Sequence, residues 1–414
     1  MAKLFIVSDD FTGALDTGVQ FAVKGAVTHV ITDPAADLSK VDPSVTVLVM
    51  DAETRHLPAQ EAHDVVYRAV KQAAELGIPY IFKKTDSALR GNIGAELTAV
   101  LEATGRKMLP FLPALPGMNR CTVDGVHYIA GVPVAESSFA KDPFEPVTES
   151  DVAALIGLQS DVNVMKQKPA VLPGGEGIAV FDASTKEDLI ATADALLKAD
   201  QMHVMAGCAG LGTALPELLG LATGTAVPRP KLDSKLLVLC GSVHPITVAQ
   251  LAYAEKHGFE HIHLPPEEKL VEGFYETDAG RARVAEWKEI LAKNPHVIID
   301  TNDAGGNGPT NAYAKEHSLT IADLRVMIAS TLGQVMGALF DDPNVGTLLV
   351  TGGDTLLQCM NRVGVYEMEP ICEVYSGVVL SRFSLNGVSR LVISKSGGFG
   401  QETLLPDMIA SFEA

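Results

Sequence analysis

Two adjacent carboxylates, Asp9 and Asp10, follow the apolar run Leu4–Val7 and precede Phe11-Thr12-Gly13-Ala14. A buried strand that ends in acids just before a helix sets them at the crevice where open α/β sheets hold ligands. There a carboxylate accepts a proton from a sugar hydroxyl or holds a metal-bound phosphate. Helix capping accounts for one acid, because carboxylates stabilise the free N–H groups of a first turn. The second is surplus to capping, which points to chemistry for at least one of the pair.

A second strand-to-helix passage, Phe82-Lys83-Lys84-Thr85-Asp86-Ser87-Ala88-Leu89-Arg90-Gly91-Asn92, gathers three cations, two hydroxyls and a carboxylate. Such a loop grips a carboxylate by charge and hydroxyl donors, and Arg90 has the fork to bind one in bidentate fashion. The plainer alternative is a solvated loop with Asp86 paired to Arg90 and Ser87 capping the helix. The density of polar types favours binding. A third run ends in Met50-Asp51-Ala52-Glu53-Thr54-Arg55-His56, where Arg55 either reaches a ligand held by the first two loops or stays a surface residue.

The second half carries three glycine turns, each after a short apolar run: Cys240-Gly241-Ser242-Val243-His244-Pro245, Thr351-Gly352-Gly353-Asp354-Thr355 and Ser394-Lys395-Ser396-Gly397-Gly398-Phe399-Gly400. Glycine lets backbone N–H groups approach phosphate oxygens, and helix N-termini add partial positive charge. One such turn means little; three at strand-to-helix transitions suggest a nucleotide-phosphate site. No Gly-Lys dipeptide and no G-x-G-x-x-G occurs, so neither a Walker A loop nor the dinucleotide fingerprint supplies it. His261-Ile262-His263 has the same-face spacing of a strand, but no third residue of metal-ligand type is apparent nearby. It is expected as a polar strand face, and no protein metal site is expected.

The elements that must position these loops alternate short β-branched runs with amphipathic stretches, the pattern of an α/β fold. Strands are expected at Leu4–Val7, Thr28–Ile31, Val45–Met50, Tyr80–Phe82, Met108–Leu112, Ile178–Phe181 and His203–Met205, then at Leu236–Leu239, His261–Leu264, Val297–Ile299, Thr347–Val350 and Leu391–Ile393. The helices expected between them include Gly13–Lys24, Ala59–Leu76 and Ile321–Phe340. At 414 residues the chain exceeds one ordinary core. Pro228 and Pro230 stiffen an aperiodic connector. The expected layout is a domain over 1–222, a linker over 223–234 and a domain over 235–414. Each domain is a mostly parallel sheet flanked by helices, with an interdomain cleft.

A net charge of −19 repels nucleic acid and anionic membranes. No apolar run is long enough to span a bilayer, and the N-terminal run meets Ser8-Asp9-Asp10 too soon for a signal-peptide core. Five scattered cysteines without C-x-x-C spacing suit a reducing, cytoplasmic setting.

Taken in order, these motifs resemble the four-carbon acid sugar kinases. The resemblance spans essentially the whole chain and rests on Ser8–Ala14, Lys84–Asn92, Gly125–Tyr128 through Phe139–Pro143, Gly241-Ser242 with Thr247 and Gln250, Thr351–Thr355 and Lys395–Gly400. It implies an N-terminal sugar-acid-binding domain and a C-terminal nucleotide-binding domain. By matching position it implies Asp10, Arg55, Lys84, Thr85, Asp86 and Ser87 as substrate contacts. It likewise implies Ser242, Gly352, Gly353, Asp354, Thr355 and Gly397 or Gly398 as ATP contacts. The segment Val243-His244-Pro245 departs from the small and cysteine-containing residues expected there, whereas Asp16–Gln20 looks closer to the D-threonate kinase branch.

The expected activity is ATP-dependent phosphorylation of the terminal hydroxyl of a four-carbon acid such as D-threonate or D-erythronate. Asp10, or Asp9, takes the hydroxyl proton, the loop with Lys84 and Arg90 fixes the carboxylate, and Mg²⁺ is carried largely by nucleotide and water. The partners are the two small molecules, with room for a homo-oligomer. The rival is a two-domain sensor that binds both ligands without transfer; paired acids beside a basic loop speak against it, since recognition of an anion gains nothing from added negative charge.

Overall fold

The computed structural model of the protein describes residues 2–142, 144–224 and 228–413. The described chain divides into two compact units, one ending at residue 224 and one beginning at Pro228. Residues 225–227 of the expected linker, and Pro143 of the motif ending there, lie outside the described residues.

In chain order the first unit contains β1 (Leu4–Ser8), α1 (Phe11–Ala22), β2 (Thr28–Ile31), β3 (Val47–Asp51), α2 (Ala59–Glu75), β4 (Tyr80–Lys84), α3 (Ile93–Thr104) and β5 (Met108–Leu112). There follow β6 (Arg120–Val123), β7 (Val126–Ile129), β8 (Val132–Pro133), α4 (Val152–Gly157), β9 (Val164–Gln167), β10 (Gly177–Phe181), α5 (Lys186–Lys198), β11 (Val204–Gly207), α6 (Ala209–Gly212) and α7 (Leu215–Leu218). The main sheet runs β2-β3-β1-β4-β11-β5-β10-β9, every pair parallel. β1, β3 and β10 are buried at every position, as strands covered by helices on both faces must be. α2 shows how a helix covers one face: Ala62, Val66, Ala69, Val70 and Ala73 recur at helical spacing and are buried. β6, β7 and β8 form a separate small antiparallel sheet.

The second unit contains β12 (Leu236–Cys240), α8 (Pro245–Lys256), β13 (Glu260–His263), α9 (Pro266–Lys269), α10 (Asp278–Lys293), β14 (His296–Asp300), α11 (Gly308–Glu316) and α12 (Ile321–Leu339). It ends with β15 (Thr347–Thr351), α13 (Gly353–Val363), β16 (Glu367–Tyr375), β17 (Val378–Leu385), β18 (Val388–Lys395) and α14 (Leu404–Glu413). Five strands, β13-β14-β12-β15-β18, are parallel. β17 and β16 then extend the sheet antiparallel beyond β18. No single described helix is long and apolar enough to cross a membrane.

The expected strands all form. The β16–β17 pair was not foreseen, because bulges between Pro370 and Cys372 and between Glu373 and Tyr375 break the two-residue period. A usable signal was present at Asn386-Gly387, where φ of 51° and 76° makes the tight turn between β17 and β18. A second departure concerns the histidines of β13. His261 and His263 do share one strand face, but the expectation of no third metal-type neighbour is overturned: parallel pairing sets Asp300 opposite His263.

Topology also explains where the chemistry-bearing loops fall. After β1 the chain adds β2 and β3 on one side and then crosses to β4 on the other. After β12 it adds β13 and β14 on one side and then crosses to β15. Each reversal opens a crevice at the carboxyl ends of the two central strands. Asp9 and Asp10 with Lys84–Ser87 occupy the first; Gly241-Ser242 with Gly352-Gly353 occupy the second.

Candidate functional site

In the first unit the strand register aligns the ends: Ser8 lies opposite both Asp51 and Lys84, and Lys84 lies opposite Gly207. Alternation along β4 sends successive side chains to opposite faces. Lys83 therefore leaves the site: its Nζ is fully buried against Glu96 Oε2 at 2.8 Å and donates to Lys84 O at 2.7 Å. That corrects the expectation of three cations around one ligand. Lys84 is the lysine that enters the crevice. Its side chain is 6% exposed, its nearest carboxylate oxygen is Asp9 Oδ1 at 3.9 Å, and its Nζ makes no hydrogen bond among the described residues. Gly13 makes this approach feasible, since a Cβ there would lie 2.5 Å from both Lys84 Nζ and Asp10 Oδ1.

Arg55 joins the three predicted loops. Its Nε donates to Asp9 Oδ2 at 2.8 Å, its Nη2 pairs with Asp10 Oδ1 at 2.8 Å, and Asp86 Oδ1 lies 4.0 Å away. Burial opposes the charge on Asp9, but Arg55 and the two lysines outweigh it and hold the carboxyl below its ordinary range. Asp10 caps α1 by accepting from Gly13 N at 3.0 Å, so the capping role is real. It is also the more accessible acid, 25% exposed against 2% for Asp9. Behind them Asp51 is wholly buried. Burial first, then the charges of Glu53 and Asp10, raise its pKa well above normal.

Within the basic loop the structure forms the Asp86–Arg90 pair. Arg90 donates from Nε to Asp86 Oδ2 at 2.9 Å and from Nη2 to Asp86 Oδ1 at 3.0 Å, and its Nη1 meets Asp142 Oδ2 at 3.3 Å. Burial works against the Asp86 charge, but Arg90 and Arg55 hold the carboxyl far below its usual range. Ser87 does not cap α3; its Oγ accepts from Arg120, and its carbonyl meets His127 Nε2 at 3.0 Å. Burial lowers the His127 pKa to about 4, so the ring is neutral and serves as a fixed strut. Phe139 lies under both Arg90 and Arg120, with guanidinium carbons 5.3 and 5.2 Å from its ring centre. The Gly125–Tyr128 and Phe139–Asp142 motifs thus brace the loop from outside it. Thr85 Oγ1 is buried with no hydrogen-bond partner among the described residues.

In the second unit the three glycine turns follow the adjacent strands β12, β15 and β18, whose ends Cys240, Thr351 and Lys395 stand in one row. Gly241 packs so closely on the start of α13 that a Cβ would sit 2.1 Å from Thr355 Oγ1. α8 is stapled to the last turn: Thr247 Oγ1 donates to Gly397 O at 2.8 Å, and Gln250 Nε2 donates to Phe399 O and Gln401 O at 3.0 and 2.9 Å. The divergent segment is a helix start, with Pro245 in the first turn and His244 Nδ1 accepting from Ile246 N at 3.2 Å. Gly352 precedes α13 as its N-cap and has no side chain to cap it, which leaves the first-turn N–H groups of Gly353, Asp354 and Thr355 for an anion. Asp354 itself is tied to Arg325. Lys395, which was not among the residues expected to bind, lies against the last of these turns. Its Nζ contacts Thr247 Oγ1 at 3.0 Å and Gly397 O at 3.3 Å, and burial lowers its pKa to about 8. A cation and uncapped amides around three glycine turns fit a phosphate chain.

Two family models match along the chain: a sugar-binding N-terminal domain over residues 4–215 and a nucleotide-binding C-terminal domain over residues 237–405. The D-threonate kinase of Salmonella typhimurium is 31% identical, with 99% of this chain and 98% of the relative covered. This chain belongs to the four-carbon acid sugar kinase family. The D-erythronate kinase of Heliobacterium modesticaldum is 30% identical to the kinase over 62% of this chain and 61% of its own. The crystal structure of a Salmonella typhimurium LT2 protein has the same fold, with a TM-score of 0.81, 20% identity and 99% of each chain covered. The kinase therefore carries its two predicted constellations in the two halves that the family models separate.

The nucleotide-side assignment is checked at Gly241. Gly241→Ala forces a methyl group against Thr355 and displaces the α13 start. ATP affinity is expected to fall at least about tenfold, the effect of roughly 1.4 kcal/mol, while sugar-acid affinity stays unchanged. Calorimetry with each ligand separately measures both; equal loss of the two would mean general damage to the fold.

Proposed function

We propose that the kinase transfers the γ-phosphoryl group of ATP to the terminal hydroxyl, O4, of a four-carbon sugar acid such as D-threonate or D-erythronate. Residues 1–222 hold the acid, 223–234 are the connector, and 235–414 hold the nucleotide. The observation that carries the acid side is Lys84, a nearly buried ammonium without a hydrogen-bond partner among the described residues. Asp9 Oδ1 at 3.9 Å supplies charge but no hydrogen bond, and a desolvated ammonium with unused donors is costly unless an acceptor meets them. The substrate carboxylate fills that place, with Thr85 Oγ1 and Arg55 beside it. Asp86, Ser87 and Arg90 complete the loop, Arg90 adding charge while its donors hold Asp86.

Asp10 orients the acceptor hydroxyl and takes its proton as the bond to phosphorus forms. Ser242, Gly352, Gly353, Asp354, Thr355 and Gly397 or Gly398 hold the phosphates, with the charge of Lys395 behind them. Mg²⁺ bound with the nucleotide would neutralise β- and γ-phosphate oxygens, and the scarcity of free carboxylates at these turns suits an ion held mainly by phosphate and water. The five free cysteines accord with a cytoplasmic enzyme.

Coupled ADP release over a panel of C4 acids and their neutral polyols tests the reading. An unpaired charged hydrogen bond costs roughly 2–5 kcal/mol, so threonate or erythronate should exceed threitol or erythritol in kcat/KM by about two orders of magnitude or more. Lys84→Met should remove much of that preference, because the polyol never used the charge. Equal wild-type rates on acid and polyol would refute the carboxylate assignment, and no ADP release with any acid would favour the sensor.

A further inference from the structure

We infer that His261, His263 and Asp300 form a binding site for a divalent transition-metal ion, Zn²⁺ in first place, in the second unit. One ligand-type atom from each of the three side chains lies within 4.8 Å of the others. Ligand atoms around a tetrahedral zinc stand about 3.3 Å apart, from bond lengths of about 2.0–2.2 Å. His261 Nε2 and Asp300 Oδ2 are already 3.2 Å apart, and the two imidazole centres are separated by 4.0 Å.

Hydrogen bonds to neighbouring groups hold all three side chains of the cluster. His263 Nδ1 lies 2.7 Å from the carbonyl oxygen of Asn302 and 3.9 Å from Asp300 Oδ2; the carbonyl only accepts, so the ring is held against the cluster with the lone pair on Nε2. His261 lies between two carboxylates, with Nδ1 3.3 Å from Glu255 Oε2 and Nε2 3.2 Å from Asp300 Oδ2, so an ion would replace the proton on the Nε2–Asp300 contact while Glu255 holds Nδ1. Asp300 Oδ1 accepts from Asn302 N at 2.9 Å and from Asn302 Nδ2 at 2.8 Å, and Oδ2 remains for the ion. Each of the three side chains is thus held by a second group, as the side chains of metal sites commonly are. His261 and Asp300 are 5% and 4% exposed, and His263 at 29% gives an entry path.

Two imidazoles and one carboxylate select a borderline ion; Mg²⁺ prefers an all-oxygen shell. The site is therefore separate from the magnesium expected with ATP. Asn302 also donates to Ser242 O at 3.0 Å, so an ion on Asp300 would stiffen the first glycine turn through one intervening side chain.

The test is a Zn²⁺ titration of the full-length, chelator-treated protein against a chromophoric competitor, with Co²⁺ absorption as a second readout. Wild type should bind one equivalent with visible Co²⁺ bands of low coordination number. His263→Gln, at a partly exposed position, and His261→Gln should each weaken binding at least about 10-fold. Both should keep the wild-type circular dichroism and ATP affinity without metal. Absence of binding in wild type, or unchanged binding in both variants with the zinc held by cysteines instead, would overturn the assignment. Neither result bears on the kinase reading, which ADP release tests by itself.

Discussion

Asp10→Asn should lower kcat by roughly 10²–10⁴-fold, the range for removal of a general base, while ATP affinity stays near wild type. The substitution isolates the chemistry because asparagine caps a helix about as well as aspartate and keeps the acceptor for Gly13 N. Arg55 loses one partner but retains Asp9. Of the two acids, Asp10 reaches solvent and Asp9 is locked beneath Arg55, so Asp9→Asn should chiefly affect stability. Single-turnover kinetics with saturating ATP and acid give the answer. Near-normal turnover of Asp10→Asn would take the proton-accepting role away from this residue.

Arg55→Ala should produce the largest loss of stability. Arg55 is 14% exposed and faces Asp9, Asp10 and, more distantly, Asp86. Removing one partner of a buried ion pair costs about 3–5 kcal/mol, because the charges left behind remain desolvated. For a unit of this size that is a fall of about 10 °C in melting temperature. The pH dependence has a definite sign. Arg55 lowers the folded-state pKa of Asp9, so its stabilisation is complete above the unfolded carboxyl value of about 4 and is lost as pH falls through the lower folded value. The gap between wild type and variant should therefore be full at neutral pH and narrow under acid. Arg55→Lys should fall between, keeping charge but losing the two-pronged geometry. Calorimetric melting from pH 7 downward measures all three proteins; a gap that widens in acid would show that Asp9 is not held by Arg55.

Much of this enzyme was legible in local sequence because its strands are short, β-branched and buried on both faces. Runs such as Leu4–Val7, Val47–Met50 and Leu236–Leu239 need no distant information to be recognised as strands, and the polar groups at their ends identify themselves by type. Asp10, Arg55 and Lys84 could be named because each follows such a run. What each side chain does there depended on contacts distant in sequence. Lys83 and Lys84 are indistinguishable as letters, yet the register of β4 against β1 and α3 sends one to Glu96 and the other to the crevice. Arg90 could be read either as a fork for the ligand or as the partner of Asp86, and the turn folded it back onto Asp86. His127 and Phe139 gave no sign of bracing a loop some forty residues earlier. Asp300 became a neighbour of His261 and His263 only through parallel pairing, which brings together segments that α9 and α10 separate in the chain. Residue type and local period place groups at strand ends; sheet order and register decide which of those ends meet, and so which charges are paired off and which are left for substrate.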